Sequence, residues 1–380
     1  MTDRIRVGIV GASATRGWAA SAHVPALAGL DEYELVAVAT TREASARAAA
    51  DAFGARHAFA GAPALANHPD VDLVVVSVKA PDHAPAVRAA LDAGKHVLVE
   101  WPLTVTAGEA AELAAKADAA GVRHAIGLQV YASPGARFVR DLVRQGRLGA
   151  VESVAFTGGA DPLGGSRILR DLAWGTAAGT ANDVLTIMVG HTVAAVELVA
   201  GELAEVAAVT ANRHDRVRLV ETGVETGEAV ANEVAGQVAV AGRFAGGAVA
   251  SITLQGGNGS APDGFHLRLT GTEGTLTVTP ASPGHYSNWA SWRVRFAPAG
   301  GTPGELAVPE RYRVAPPGVP DDPAANVAGL YRLLGRALDG GPAELPTFHT
   351  AARIQRTLEA IARAAETGTT QLLTTEVVPA

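Results

Sequence analysis

The chain has 380 residues, a formal charge of −7 and no cysteine. That length exceeds one ordinary core, so two domains are expected, and the missing thiols exclude disulfides, thiolate nucleophiles and thiolate metal sites. The acidic balance argues against a nucleic-acid surface, no apolar run reaches the roughly eighteen residues of a membrane span, and the start lacks a signal-peptide core, so no nucleic acid, no membrane and a cytoplasmic location are expected.

Over the first third, short apolar runs alternate with helical patterns, the signature of a parallel sheet flanked by helices. Residues 6–10, 35–39, 73–77, 96–99 and 122–128 read as buried strands, and 43–53, 81–93 and 107–120 as the helices between them. Gly94 and Gly121 stand just past two of those helices, where helix stops belong. Residues 137–145 place Phe138, Val139, Leu142 and Val143 on one helical face. From 151 the pattern turns β-rich, with strands predicted at 151–157, 206–211, 234–244, 248–254, 265–270 and 275–279. Turns are predicted at Gly246-Gly247 and at Gly271-Thr-Glu-Gly274. A helix is predicted over 186–199. The Pro- and Gly-rich stretch 280–320 is expected to loop around one Trp-containing strand, and 326–338 and 350–367 return to helical periodicity.

The expected class is therefore α/β. A doubly wound Rossmann domain with a parallel sheet covers 1–125, and an α+β domain with a large, mostly antiparallel, open-faced sheet covers 126–380. The C-terminal helices have the option of packing back on the first domain.

The first strand runs into Gly8-Ile-Val-Gly11-Ala-Ser13-Ala-Thr-Arg-Gly17-Trp18. Tight glycine turns let backbone amides reach a pyrophosphate, and a following helix N-terminus adds partial positive charge. Ser13 replaces the middle glycine of the usual pattern, and an ordinary glycine-rich strand–helix turn is the alternative. The second strand ends Thr40-Thr41-Arg42, with no acid to bind ribose hydroxyls. Two hydroxyls and a guanidinium suit a 2′-phosphate or permit both cofactors, so NADP or NAD is expected. Otherwise Arg42 simply opens the next helix toward solvent. The third strand ends Ser77-Val78-Lys79, and carboxyl ends of strands line the ligand crevice of such sheets. Lys79 is one of only three lysines, with Lys95 and Lys116. His83 opens the next helix, where capping or packing is the simpler role.

Residues Ala93-Gly-Lys-His-Val-Leu-Val-Glu-Trp-Pro-Leu103 resemble the segment Ala-Gly-Lys-His-Val-Leu-x-Glu-Lys-Pro-Leu of the Gfo/Idh/MocA oxidoreductase family. Gly271-Thr-Glu-Gly-Thr-Leu276 resembles a hairpin of that family's second domain, and 181–201 resembles its helix with an Asp-x-x-x-His pair. The resemblance covers nearly the whole chain. It implies that Glu100 and Trp101 border the cofactor, that the substrate is a polar small molecule, and that the protein is a homo-oligomer, dimer or tetramer. Two departures matter: Trp101 stands where the family has lysine, and Ile187 where it has the aspartate. Gly17-Trp18-Ala19…His23, Val75–His83, Val99-Glu-Trp101 and Gly190-His-Thr192 resemble the branch of the yeast galactose-pathway repressor, which binds a dinucleotide and regulates.

Oxidising a hydroxyl needs a base for its proton and an acid or cation on the oxygen. Indole is a hydrogen-bond donor only, so Trp101 supplies neither. The resemblance makes His191 the first catalytic candidate, with burial as a structural histidine as the alternative. Tyr131, at the exit from the first domain, and Lys79 are the others; Tyr131 has packing as its alternative. Arg167, Arg170, Asp171 and Trp174 form either a polar-ligand loop or a solvated one. The eleven histidines show no metal spacing, so no metal is expected. The expected function is an NAD(P)-dependent oxidoreductase acting on a sugar, cyclitol or related polar carbonyl or hydroxyl compound. A dinucleotide-binding regulator without turnover, or an enzyme using bound cofactor without net redox, are the alternatives.

Overall fold

The computed structural model describes residues 4–160, 163–257, 264–282, 285–320, 323–341 and 344–373. The chain divides into two compact units, Met1–Ala132 with Arg313–Arg353, and Ser133–Tyr312 with Ile354–Ala380.

The first unit is a six-stranded parallel sheet. Its strands are β1 (Ile5–Val10), β2 (Tyr33–Thr40), β3 (His57–Ala60), β4 (Leu73–Val76), β5 (His96–Glu100) and β6 (His124–Gly127). Their spatial order is β3-β2-β1-β4-β5-β6, so the strand order reverses between β1 and β4. At that switch point two chain segments leave the sheet in opposite directions and open a crevice outside the carboxyl ends. The central strands are apolar runs because both faces are covered: all four residues of β4 are buried. Helices α1 (Val24–Ala28), α2 (Glu43–Phe53), α3 (Ala62–Ala66), α4 (His83–Asp92) and α5 (Ala107–Ala119) connect the strands. Thr106 caps α5 by accepting from the Glu109 amide, and Gly54 ends α2 in the left-handed region.

Sequence periodicity missed β3 and α3. His57-Ala-Phe-Ala60 is a half-buried edge strand of four residues, too short for a period to register. The core of this unit also draws on a helix some two hundred residues away in sequence. Helix Ala324–Leu338 inserts Val327, Ala328, Tyr331 and Leu334 among Val7, Ile9, Val38 and Leu98. The Tyr33 hydroxyl donates to the Tyr331 carbonyl at 2.5 Å.

The second unit carries a nine-stranded sheet and a small three-stranded one. The strands are β7 (Val151–Ala160), β8 (Arg167–Leu169), β9 (Leu203–Ala211), β10 (Arg216–Glu221), β11 (Val224–Ala231), β12 (Gln237–Phe244), β13 (Val249–Gly256), β14 (Phe265–Gly271), β15 (Gly274–Pro280), β16 (Trp292–Pro298), β17 (Gly304–Leu306) and β18 (Gln371–Leu372). The large sheet runs β17-β16-β15-β14-β7-β13-β12-β9-β18, antiparallel throughout except between β7 and β13. Strict alternation on β14 and β16 buries Leu267, Leu269, Val294 and Phe296 on one face. Helices α6 (Pro134–Arg144) and α7 (Gly190–Ala200) pack on that face. The two glycine turns join β12 to β13 and β14 to β15, and the Trp-containing strand is β16; residues 283–284 of its surrounding loop lie outside the described ones.

The three-stranded sheet, β11-β10-β8, was not read from the sequence. Its hairpin turns at Thr222-Gly223, both with positive φ. The alternation Arg216-Val-Arg-Leu-Val-Glu221 carried the signal, but charges on every other residue lowered its apolar content. The helix predicted at 186–199 begins as a π-type turn, Val184–Val189, capped by Asp183 on the Thr186 amide, and continues as α7.

Candidate functional site

The carboxyl edge of the first unit gathers the chemistry-bearing residues. After β1 the chain turns at Gly11, whose φ is +97° and whose amide donates to the Ala39 carbonyl at 2.8 Å. A Cβ there would lie 2.3 Å from the Ser77 carbonyl oxygen, so only glycine lets the first turn lie against the end of β4. Gly17, exposed and at φ +88°, leads through Trp18 into the helical turn Ala19–His23 and α1. Ser13 is half-buried between the two glycines. Gly8 plays another part: it lies inside β1, and a side chain there would strike Leu65 of α3.

At the end of β2 the Thr40 hydroxyl does not point away from the chain. It and the Ser45 hydroxyl lie 2.6 Å apart, and both donate to the Arg42 carbonyl at 2.9 Å. They close the turn into α2 and leave Thr41 and the Arg42 side chain exposed. Ser77 and Lys79 follow β4, Ser77 half-buried with its amide on the Val10 carbonyl and Lys79 exposed.

Glu100 and Trp101 end β5. The Glu100 carboxylate is held from two sides: His23 Nε2 lies 2.9 Å from Oε1, and Gln129 Nε2 donates to Oε2 at 3.1 Å. His23 is fully buried and its Nδ1 lies 2.8 Å from the Tyr331 hydroxyl. A tautomer with the proton on Nε2 satisfies both contacts, since Tyr331 then donates to Nδ1 and His23 donates to the carboxylate. The carboxylate lies flat on β6, where a Cβ on Gly127 would be 2.5 Å from it. Burial raises the Tyr331 hydroxyl well above the ordinary tyrosine range, which keeps it a donor. Trp101 is 6% exposed, and its peptide bond to Pro102 is cis.

His83 ties the two strand ends together. Its buried ring places Nδ1 2.7 Å from the Pro102 carbonyl and Nε2 3.1 Å from the Val78 carbonyl. Burial holds its pKa below the ordinary histidine value despite those two acceptors. Tyr131, in the turn Gln129–Ala132, is half-buried against Ala132, Val314, Leu330 and Leu333.

Gly11, Ser13, Gly17, Trp18, Thr40, Thr41, Arg42, Ser77, Lys79, Glu100 and Trp101 thus all emerge from one edge of one sheet. His191 belongs to the second unit. It lies in the first turn of α7, 7% exposed, beside Thr192, whose hydroxyl bonds Tyr286 and the Met188 carbonyl. Two partners of Glu100, and the tyrosine behind one of them, escaped the sequence reading as site residues. His23 was visible only as part of the Gly17-Trp18 motif, Gln129 only as a neighbour of Tyr131, and Tyr331 carried no signal because its partners are some three hundred residues distant.

Residues 5–128 match the profile of an oxidoreductase family with an NAD-binding Rossmann fold, and residues 134–280 match that of the Gal80p C-terminal domain. Among curated proteins, the chain is 38% identical over 157 residues to dehydrogenase aclE of Aspergillus oryzae, covering 40% of this chain and 43% of that protein. It is 26% identical over 198 residues to the galactose/lactose metabolism regulatory protein GAL80 of Saccharomyces cerevisiae, covering 50% and 46%. The chain thus spans under half the length of these two relatives. Over 368 residues it is 28% identical to D-xylose 1-dehydrogenase (NADP(+)) 2 of Haloferax volcanii, covering 95% and 97%. In fold it matches the Saccharomyces cerevisiae Gal80p super-repressor mutant with a TM-score of 0.86 at 20% identity, covering 97% and 98%. It also matches levoglucosan dehydrogenase in complex with NADH and L-sorbose, with a TM-score of 0.83 at 18% identity, covering 98% and 100%. Residues 5–128 thus carry the NAD-binding Rossmann domain of the Gfo/Idh/MocA oxidoreductase family, and the chain resembles the Gal80p branch of that family. No described helix is long and apolar enough to cross a membrane.

Proposed function

We propose that the protein is a cytoplasmic NAD(P)-dependent oxidoreductase acting on a sugar, cyclitol or related polar hydroxyl or carbonyl compound. The observation that carries this reading is the carboxyl edge at the β1/β4 switch point. Lys79 and Tyr131 leave the sheet on the same side as the glycine turn. The residues fit a dinucleotide: Gly11 lets the turn lie tight against the end of β4, and the space beside Gly17, ahead of the helical turn, is open. Gly11, Ser13 and Gly17 would hold the pyrophosphate, Arg42 with Thr41 the adenosine ribose or its 2′-phosphate, and Ser77, Lys79, Glu100 and Trp101 the remainder. The nicotinamide supplies hydride transfer. The chain must exchange the substrate's proton, and Trp101 has no basic nitrogen for it. Lys79 and Tyr131 in the first unit and His191 in the second are the groups that can. A homo-oligomer built on the open face of the large sheet is part of this reading.

A second reading has its own observation. Trp101 buries its ring where the family carries a lysine, which favours a dinucleotide-binding regulator without turnover, as the similarity to GAL80 suggests. The two readings separate in one assay. Wild type, His191→Ala, Tyr131→Phe and Lys79→Ala are offered sugars, cyclitols and keto-sugars with both cofactors, and nicotinamide absorbance is followed. Turnover that falls about 10²–10⁴-fold in one of these variants, with cofactor binding intact, supports the enzyme. Firm cofactor binding with no turnover on any substrate moves the assignment to the regulator.

A further inference from the structure

We propose that His57, His68 and Asp70 form a binding site for a borderline divalent transition-metal ion of the zinc type, at the amino edge of the parallel sheet. His57 opens β3, and His68 and Asp70 lie in the turn that precedes β4. In a parallel sheet both positions fall on the edge opposite the dinucleotide crevice, so the inference is independent of the proposed function.

One ligand atom from each of the three residues lies within 4.8 Å of the others. Two imidazole nitrogens and one carboxylate oxygen are a donor set for zinc, nickel or cobalt(II), and unsuited to magnesium or calcium, which take oxygen. His57 Nε2 is already 2.9 Å from Asp70 Oδ2, and the two imidazole rings lie 4.2 Å apart. His68 accepts the Asp70 amide on Nδ1 at 3.2 Å, so that nitrogen carries a lone pair, the state a metal requires. The Asp70 residue is half-buried, and water can take up its amide when the metal takes Nδ1. On the other ring, Nε2 is the nitrogen of His57 that faces Asp70, and a metal taken there leaves the ring proton on Nδ1.

Neighbouring residues orient the cluster and close its sides. The Asp70 carboxylate offers two oxygens, and Oδ2 is the one that faces His57. Its Oδ1 accepts from Arg6 at 3.3 Å, an outer contact that orients the carboxylate and leaves Oδ2 for the metal. Arg6 is itself neutralised by Asp72, which it meets at 2.7 and 2.9 Å. Lys95 bonds the His68 carbonyl and fixes that turn, while Phe59 lines one side, 5.3 Å from the His68 ring.

A second cluster among the described residues, Asp118, His124 and His349, has similar ligands and the wrong proton. The buried His124 accepts the Phe348 amide on Nδ1 at 3.1 Å, at the start of helix Phe348–Thr367. Its proton therefore sits on Nε2, the nitrogen that faces Asp118. A metal there would have to break a buried helix contact.

The test uses the full, tag-free chain stripped with a chelator and dialysed. Zinc binding is measured by calorimetry, and cobalt(II) binding by its visible d–d absorption. One equivalent is expected to bind, with the intense bands of a four-coordinate cobalt site. His57→Ala and His68→Ala should each weaken binding by more than the roughly 10–100-fold that loss of an outer partner costs. Asp70→Asn, which preserves shape, should do the same and serves if a histidine variant fails to fold. His349→Ala should bind as wild type does. Absence of stoichiometric binding to wild type overturns the site. So does binding unchanged in Asp70→Asn and the histidine variants, or binding lost in His349→Ala.

Discussion

Replacing Gly11 by alanine tests whether the first turn is a phosphate cradle. Two costs combine at this position. A Cβ would lie 2.3 Å from the Ser77 carbonyl oxygen and 2.7 Å from its carbon, against an ordinary contact that begins at 3.4 Å. Backbone cannot rotate away as a side chain can, so the turn must move off the end of β4 by roughly 1 Å, an overpacking that costs about 1–3 kcal/mol. The left-handed φ of +97° adds the penalty of an L-residue there, about 1–2 kcal/mol. The total of about 2–5 kcal/mol falls on the segment whose amides would face the pyrophosphate. At ~1.4 kcal/mol per tenfold, dinucleotide affinity should drop at least ~30-fold. Gly17→Ala is the internal control: its φ is +88°, but nothing lies within 4 Å of the added carbon. It carries the backbone term alone, about 1–2 kcal/mol, and should lose no more than about 5–30-fold. Fluorescence titration of NADH and NADPH, with thermal unfolding in parallel, reads both. Equal affinity and equal melting for Gly11→Ala and wild type would refute the reasoning.

Other substitutions probe the rest of the edge. Trp101→Ala empties a site that is 6% exposed, and should destabilise by about 3–5 kcal/mol in denaturant unfolding. Trp101→Lys should restore little turnover, because Ile187 still stands where the family has its aspartate; turnover approaching that of a sugar dehydrogenase would contradict this. His23→Ala removes the donor to Glu100 Oε1, and should cost about 1–3 kcal/mol, with partial recovery in His23→Gln because an amide can donate; a melting temperature unchanged in both would argue against the buried relay. Arg42→Ala should reduce NADPH binding about 10–100-fold and spare NADH, if the guanidinium meets a 2′-phosphate with the ~1.5–3 kcal/mol of a charged contact. Burial lowers the folded-state pKa of His83 and His124, so below about pH 6.5 the unfolded chain takes up protons that the folded chain does not. Stability should therefore fall as pH drops from about 7 to 5, by at most ~1.4 kcal/mol per pH unit for each histidine, and His83→Gln should flatten the slope.

Long, strongly periodic elements were legible in the sequence. The alternation of apolar runs with helical patterns determined the parallel sheet, and the glycine turns placed β12–β13 and β14–β15 correctly. That the strand-end residues share one edge was legible too, because carboxyl ends of parallel strands lie on one side of the sheet whatever the packing is. Short or charge-rich elements were lost: β3 has four residues, and β10 carries a charge at every second position.

What only tertiary structure decided is which distant groups meet. Glu100 reads from the sequence as a cofactor residue, yet its carboxylate is held by His23 and Gln129, with Tyr331 behind His23. Thr40 reads as a ribose contact, yet its hydroxyl closes the turn into α2. The pairing of His57 with His68 and Asp70 likewise has no sequence period, since a strand and the turn before another strand supply it. Local backbone preferences act over a few residues and leave a periodic trace. Hydrogen bonds between side chains depend on where the chain returns, and burial, not spacing, selects those partners.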